Sequence, residues 1–141
     1  MQVSDVARLY ASKLAWAGIV EHGTAGALWP FEELLAESKR LAEQGADALV
    51  LRLKDLHHER LSPNRVLLTV TFEESHVGDD PASTHERWDQ FALVCTRPNY
   101  GGRRWWFECP GCTSRRACIY LIPCLYSYCR ECLGLTYESQ L

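Results

Sequence analysis

Four of the seven cysteines in this 141-residue chain are spaced to hold a metal ion. Cys109-Pro110-Gly111-Cys112 and Cys129-Arg130-Glu131-Cys132 are separated by sixteen residues, a C-x2-C-x16-C-x2-C pattern. Two residues between cysteines put both sulfurs on one side of a tight knuckle. Two facing knuckles then complete a tetrahedron of thiolates about one zinc ion. All four positions of such a site are taken by protein, so the expected role of the zinc is structural. Two disulfides, or a thioredoxin-like redox pair, are the alternatives for the same residues. Met1-Gln2-Val3-Ser4-Asp5 lacks the basic start and apolar run of a secretion signal. No stretch approaches the roughly 18 apolar residues of a membrane span. The expected location is therefore cytoplasmic, with reduced thiols and no membrane contact. Cys95, Cys118 and Cys124 fall outside the paired spacing and read as packing residues.

The elements that must position these knuckles follow from composition and periodicity. Hydrophobic residues make up 47% of the chain and charged residues 23%, the balance of a globular protein with a sizeable core. The net charge of −3 argues against a generic nucleic-acid coat. The charge is uneven, however. Residues 99–141 carry five arginines and three glutamates, a net +2, while residues 1–98 sum to −5. Arginine suits planar recognition of phosphate or carboxylate.

Ser4 can cap a helix over about 5–17, with Leu9, Tyr10, Leu14 and Ala17 as its apolar stripe and Gly18 as its stop. A second helix is predicted over 30–44. Pro30 lies in its first turn, Phe31, Leu34, Leu35, Leu41 and Ala42 keep the period despite Ser38, and Gly45 follows it. Strands are predicted over 47–53, 65–72 and 90–95 from their branched and apolar residues. The polar segment Lys54 to Asn64 joins the first two as a hairpin, and Glu73 to Asp89 reads as a polar surface loop. Gly101 to Glu108 puts large aromatics on both faces of a strand, so one face should pack under the ribbon and the other on the sheet. Arg116 to Leu121 and Cys124 to Tyr128 form a second hairpin turning at Ile122-Pro123. Its tyrosines either stack bases or cover a small core. The expected fold is α+β: N-terminal helices and an antiparallel sheet (1–98), with a four-cysteine zinc ribbon (99–141) packed against it.

The run Gly101-Gly102-Arg103-Arg104-Trp105-Trp106-Phe107-Glu108-Cys109-Pro110-Gly111-Cys112, then Tyr120-Leu121, then Cys129-Arg130-Glu131-Cys132-Leu133-Gly134-Leu135-Thr136-Tyr137-Glu138-Ser139-Gln140, resembles the C-terminal half of a family of small bacterial and mobile-element zinc-ribbon proteins. The shared pattern is GG-R-WWF-CP-C … CR-C-GL-Y-SQ, over about the last 42 residues. The resemblance implies the ribbon and carries no activity with it. Thr113 stands where the family has glycine, which predicts a strained first knuckle. Thr96-Arg97-Pro98-Asn99 replaces a Thr-Pro-Cys-Asn run, so that missing cysteine is not a ligand. Pro30–Gly45 reads as an insertion particular to this chain.

No phosphate loop, nucleophile elbow or H-E-x-x-H occurs, so a catalytic site is not expected. His76, Asp79, Asp80 and His85 match no motif with a mechanism, and His57-His58-Glu59 reads as a solvent-facing turn. The expected function is non-enzymatic binding to nucleic acid or a nucleoprotein complex. Arg103, Arg104, Arg115, Arg116 and Arg130 would meet phosphates, and Tyr126 and Tyr128 would meet bases. The alternative is a protein-interaction module of phage or mobile-element type that inhibits or assembles with a host nucleic-acid-processing machine, such as a defence complex. Its working surface would be Glu32, Glu33, Glu37 and Glu43 with Glu73, Glu74, Asp79 and Asp80.

Overall fold

The computed structural model describes residues 4, 6–23, 26–44, 49–76, 84–99, 101–122 and 127–135. The fold is α+β, with two antiparallel sheets. Along the chain come β1 (Ala7–Tyr10), α1 (Ala11–Trp16), α2 (Ile19–His22), α3 (Trp29–Glu43), β2 (Val50–Ser62), β3 (Arg65–Ser75) and β4 (His85–Thr96). Then follow β5 (Arg104–Glu108), β6 (Arg115–Arg116), β7 (Cys118–Leu121), β8 (Ser127–Tyr128) and α4 (Arg130–Leu133). Five strands form one sheet in the order β2-β3-β4-β5-β6, and three form a second in the order β1-β7-β8. No helix among the described residues is long and apolar enough to cross a membrane.

The centre of the large sheet follows from strict alternation. Val66, Leu68, Val70 and Phe72 of β3 are buried, and so are Phe91 and Leu93 of β4 and Trp105 and Phe107 of β5. They make one inner face, on which α3 lays Phe31, Leu34 and Leu41. Phe31 meets Phe72 at 6.2 Å between ring centroids, and Phe91 meets Phe107 edge-on at 5.7 Å. Ser38 interrupts the apolar stripe of α3 for a reason. Fully buried, it accepts a hydrogen bond from the Leu51 N–H at 3.0 Å and donates to Leu35 O at 2.9 Å, pinning the helix to β2.

Several expectations change. The predicted helix over 5–17 is strand β1 followed by α1; only its end at Gly18, with φ +80°, stands as read. Ala7 and Leu9 are buried while Arg8 and Tyr10 are half-exposed, a period of two that suits pairing with β7, where Ala7 faces Leu121 and Tyr10 faces Cys118. The polar Lys54–Asn64 link is mostly strand, since β2 continues to Ser62 and turns only at Pro63-Asn64. As an edge strand it tolerates charged residues on its exposed positions. His57, His58 and Glu59 therefore lie in β2 and not in a turn, with His58 Nε2 bonded to Val20 O at 2.8 Å. The predicted loop over Glu73–Asp89 is β3 to Ser75 and β4 from His85. Asp79 and Asp80 of that segment, and Gly45, lie outside the described residues. Gly101–Glu108 is not a layer between ribbon and sheet: β5 is itself a strand of the sheet, paired with β4.

Why β4 begins early is a matter of buried charge. Arg87 is 8% exposed, Asp89 7% and Glu74 3%. The Arg87 guanidinium donates to Asp89 Oδ2 at 2.8 Å, to Glu74 Oε1 at 3.0 Å, to Ser127 Oγ at 3.0 Å and to Ile122 O. Ser127 Oγ in turn donates to Asp89 Oδ1 at 3.2 Å. The cluster ties the large sheet to the β7–β8 hairpin of the small one. Removing one partner strands the rest without compensation. Arg87→Ala should therefore cost about 3–5 kcal/mol in denaturant unfolding. Replacing Glu74, Arg87 and Asp89 together with Leu, Met and Leu should recover most of that loss.

Candidate metal centre

The first knuckle forms where β5 leaves the sheet. Cys109 donates its N–H to Ser114 O at 3.0 Å and accepts the Thr113 N–H on its own carbonyl at 2.8 Å, closing a tight turn before β6. The second knuckle is the start of α4, where Cys129 is the N-cap and its carbonyl accepts Leu133 N–H at 3.2 Å. The two turns face each other. Cys109 Sγ lies 3.8 Å from Cys132 Sγ, and Cys112 Sγ lies 3.7 Å from Cys129 Sγ. All four sulfurs fall within 4.8 Å of one another. An ion held at about 2.3 Å from each of four tetrahedral sulfurs sets their separation near about 3.8 Å. A disulfide would need about 2.05 Å. The cysteines are free thiols at metal-binding distance, and among the described residues they are the one group so placed.

The surroundings are built for thiolate. The Cys129 N–H donates to Cys109 Sγ at 3.3 Å. Burial pushes the Cys109 thiol up, but main-chain N–H groups of Cys129, Cys112 and Gly111 outweigh it and leave it below its ordinary value. Ser114, by side chain and main chain, pulls Cys112 down to about 6. Cys132 is pushed up to about 12, by its hydrogen bond with the Cys129 sulfur and by burial. Four crowded thiols cannot all ionise by themselves; a cation between them removes that conflict. Gly111 makes the close approach possible, since a Cβ there would stand 2.9 Å from Cys132 Sγ and 3.1 Å from Tyr128 Cδ1. Arg116 lies against this cage, its guanidinium held by Glu131 at 2.9 Å and its pKa raised by Cys112. Its Nε is buried with no hydrogen-bond partner among the described residues.

The other site residues predicted from sequence are dispersed. Arg103 reaches Glu21 at 3.4 Å. Arg130 donates to Leu135 O at 3.2 Å, tying the turn after α4. Tyr128 is half-buried against the main core, opposite Tyr120, which is itself buried with Val6, Ile122 and Leu135. Tyr126 lies outside the described residues. Arg104 and Arg115 share the outer face of the large sheet. Arg104 covers the Trp106 ring at 3.9 Å, and Arg115 stands opposite Glu108 across β5 and β6. The register adds Arg65, which sequence reading missed: it forks onto Glu108 with bonds of 3.2 and 3.1 Å. No local signal in β3 points to that role. Of the acidic set, Glu33 pairs with Lys13, Glu37 lies 4.0 Å from Arg40, and Glu74 is buried on Arg87.

No family model, curated protein or solved structure matches the chain.

Thr113 has φ +60°, the one non-glycine residue in the left-handed region among those described. This is the position where the resemblance has glycine and implies strain. A β-branched side chain there costs about 1–2 kcal/mol relative to glycine, less glycine's greater entropy when unfolded. Thr113→Gly should leave metal content unchanged and raise stability by about 1 kcal/mol in equilibrium unfolding.

Proposed function

We propose that this chain is a non-enzymatic zinc-ribbon protein that contacts nucleic acid through the outer face of its large sheet. The sulfur cage supports the first half of this reading. Four cysteine ligands at tetrahedral spacing leave no coordination position for substrate, which is the arrangement of a structural zinc. Arg116 and Arg130 belong to the support of that cage and not to a recognition surface.

The single observation that carries the second half is the register of β3, β4, β5 and β6. It gathers Arg65, Arg104 and Arg115 around one carboxylate, Glu108, and one half-buried indole, Trp106. Three guanidinium groups against one carboxylate make a local excess of two positive charges in a chain whose total is −3. Arg115 has no ion pair among the described residues. An arginine stacked on an indole presents a flat cationic plate, suited to phosphate and to the face of an unpaired base.

Two measurements test the two halves separately. Elemental analysis of the purified chain should find one zinc per molecule, and Cys109→Ser should lose it together with the folded signal; iron in place of zinc, or no metal, rejects the ribbon. Binding of a fluorescent single-stranded oligonucleotide should weaken steeply with salt, and Arg104→Ala with Arg115→Ala should lower the slope of log K against log salt by roughly 1–2. Absence of binding at low ionic strength rejects the nucleic-acid contact and leaves the zinc intact.

A further inference from the structure

β4 is longer than the strand beside it. β5 pairs only with Ala92 to Thr96, ending where Glu108 faces Ala92, and the chain then leaves for the first knuckle. The direction of the backbone groups left over can be read from one bond. Cys95 donates its N–H to Asn64 O at 2.8 Å on the β3 side. In an antiparallel ladder successive residues alternate between their two neighbours. Odd-numbered residues of β4 therefore bond to β3, and even-numbered ones turn their N–H and C=O the other way. Ala92, Val94 and Thr96 find β5 there. Glu86, Trp88 and Gln90 find no strand among the described residues.

A groove of about 880 Å³ runs along this edge. Residues from both faces of β4 line it, with Pro110 of the first knuckle, Ser127 and Tyr128 of β8 and Glu74 of β3, so it takes in the edge of β4 and the inner face next to it. Trp88 is 66% exposed at its rim. The charge is asymmetric. Three carboxylates, Glu74, Asp89 and Glu86, stand there with two cations, Arg87 and Lys54. Two aromatic rings beside a majority of carboxylates are surroundings that suit an ammonium or guanidinium.

We propose that the open edge of β4 over Glu86–Gln90, with the groove beside it, docks a basic extended peptide of a partner protein as an added strand. Only a peptide carries donors and acceptors at the spacing of Glu86, Trp88 and Gln90; an oligonucleotide does not. The inward charges of Arg87 and Asp89 oppose a purely apolar strand, as they do on other protected sheet edges. The site takes roughly five or six residues, the length of edge uncovered among the described residues. It goes beyond the nucleic-acid contact, which uses the outer sheet face, and it stands or falls independently of it.

The probe is a random dodecapeptide display library panned on the purified full chain, followed by synthesis of the enriched sequences. Enriched peptides should be rich in Lys or Arg and should slow amide exchange at Glu86, Trp88 and Gln90. Affinity should fall tenfold or more with Trp88→Ala, and should be abolished by N-methylating alternate peptide amides. Gln90→Pro removes an N–H that points into the groove and none from the β3 ladder, so metal content should persist while peptide binding is lost. No enrichment, enrichment without protection at those three amides, indifference to N-methylation, or displacement of the peptide by a homopolymeric oligonucleotide would each overturn the proposal. If Gln90→Pro does not fold, Trp88→Ala and the N-methylated peptides decide between the same two outcomes.

Discussion

The approach of four sulfurs to within 4.8 Å of one another is the constraint on which the rest of the molecule depends. The segments it joins are too short to hold themselves. β6 and β8 have two residues each, β7 has four, and α4 is a single turn. A hairpin of that size is marginal in water even with good turns. Tying residues 109–112 to 129–132 removes most of the freedom the intervening loop would otherwise keep. The consequence reaches the other end of the chain. β1 exists only as the neighbour of β7, and α1 continues from β1 with a main-chain bond from the Ala11 N–H to Ala117 O at 2.9 Å. Ile119 and Leu121, held by that hairpin, enter the same core as Leu14, Phe72 and Phe107. The sheet and the cysteine segment thus share one interior.

The Arg87 cluster works beside the sulfur cage at a different cost. Exposed pairs such as Lys13–Glu33 or Arg60–Glu21 contribute little, because water and salt screen them. Buried charge is not cheap, and apolar residues of equal volume often stabilise as well or better. Direction is what the charges add. Apolar packing would tolerate several seatings of a two-residue strand such as β8. A guanidinium that must reach Asp89, Glu74, Ser127 and Ile122 O at once accepts one.

These two devices differ in how far the chain reveals them. The cysteine spacing is local in each knuckle, and α3 declares itself by its period, its proline and its apolar face. The pairings of β2 with β3 and of β7 with β8 are legible from apolar runs, but not the reach of β2 to Ser62, and the turn residue Pro123 with Cys124 lies outside the described residues. Thr113 is marked only by the resemblance, which has glycine at that position, and its φ of +60° lies where glycine is favoured. The misreadings share a cause. Arg87 and Asp89 look like loop residues because their partners, Ser127 and Ile122, stand 35 and more residues away. Leu9 and Tyr10 fit a helical stripe until β7 is present to pair with them. Arg65 joins Arg104 and Arg115 only through the register of four strands. Polarity that is satisfied at long range cannot be told from polarity that faces water.

The two surfaces proposed for partners are consequences of the same geometry. β5 must stop at Glu108 because the next residue is the first of the four clustered cysteines, whose sulfur cannot stay in the plane of the sheet and reach the second knuckle. β4 is therefore left uncovered from His85 to Phe91 on that side among the described residues, and the knuckle that causes the gap supplies Pro110 as its wall. The chain re-enters the sheet as β6, which sets Arg115 opposite Glu108 and completes the basic outer face. Closing the sulfur cage at that point in the sequence thus opens an acidic strand edge on one side and gathers arginines on the other. The partition of charge follows from where the clustered cysteines interrupt β5.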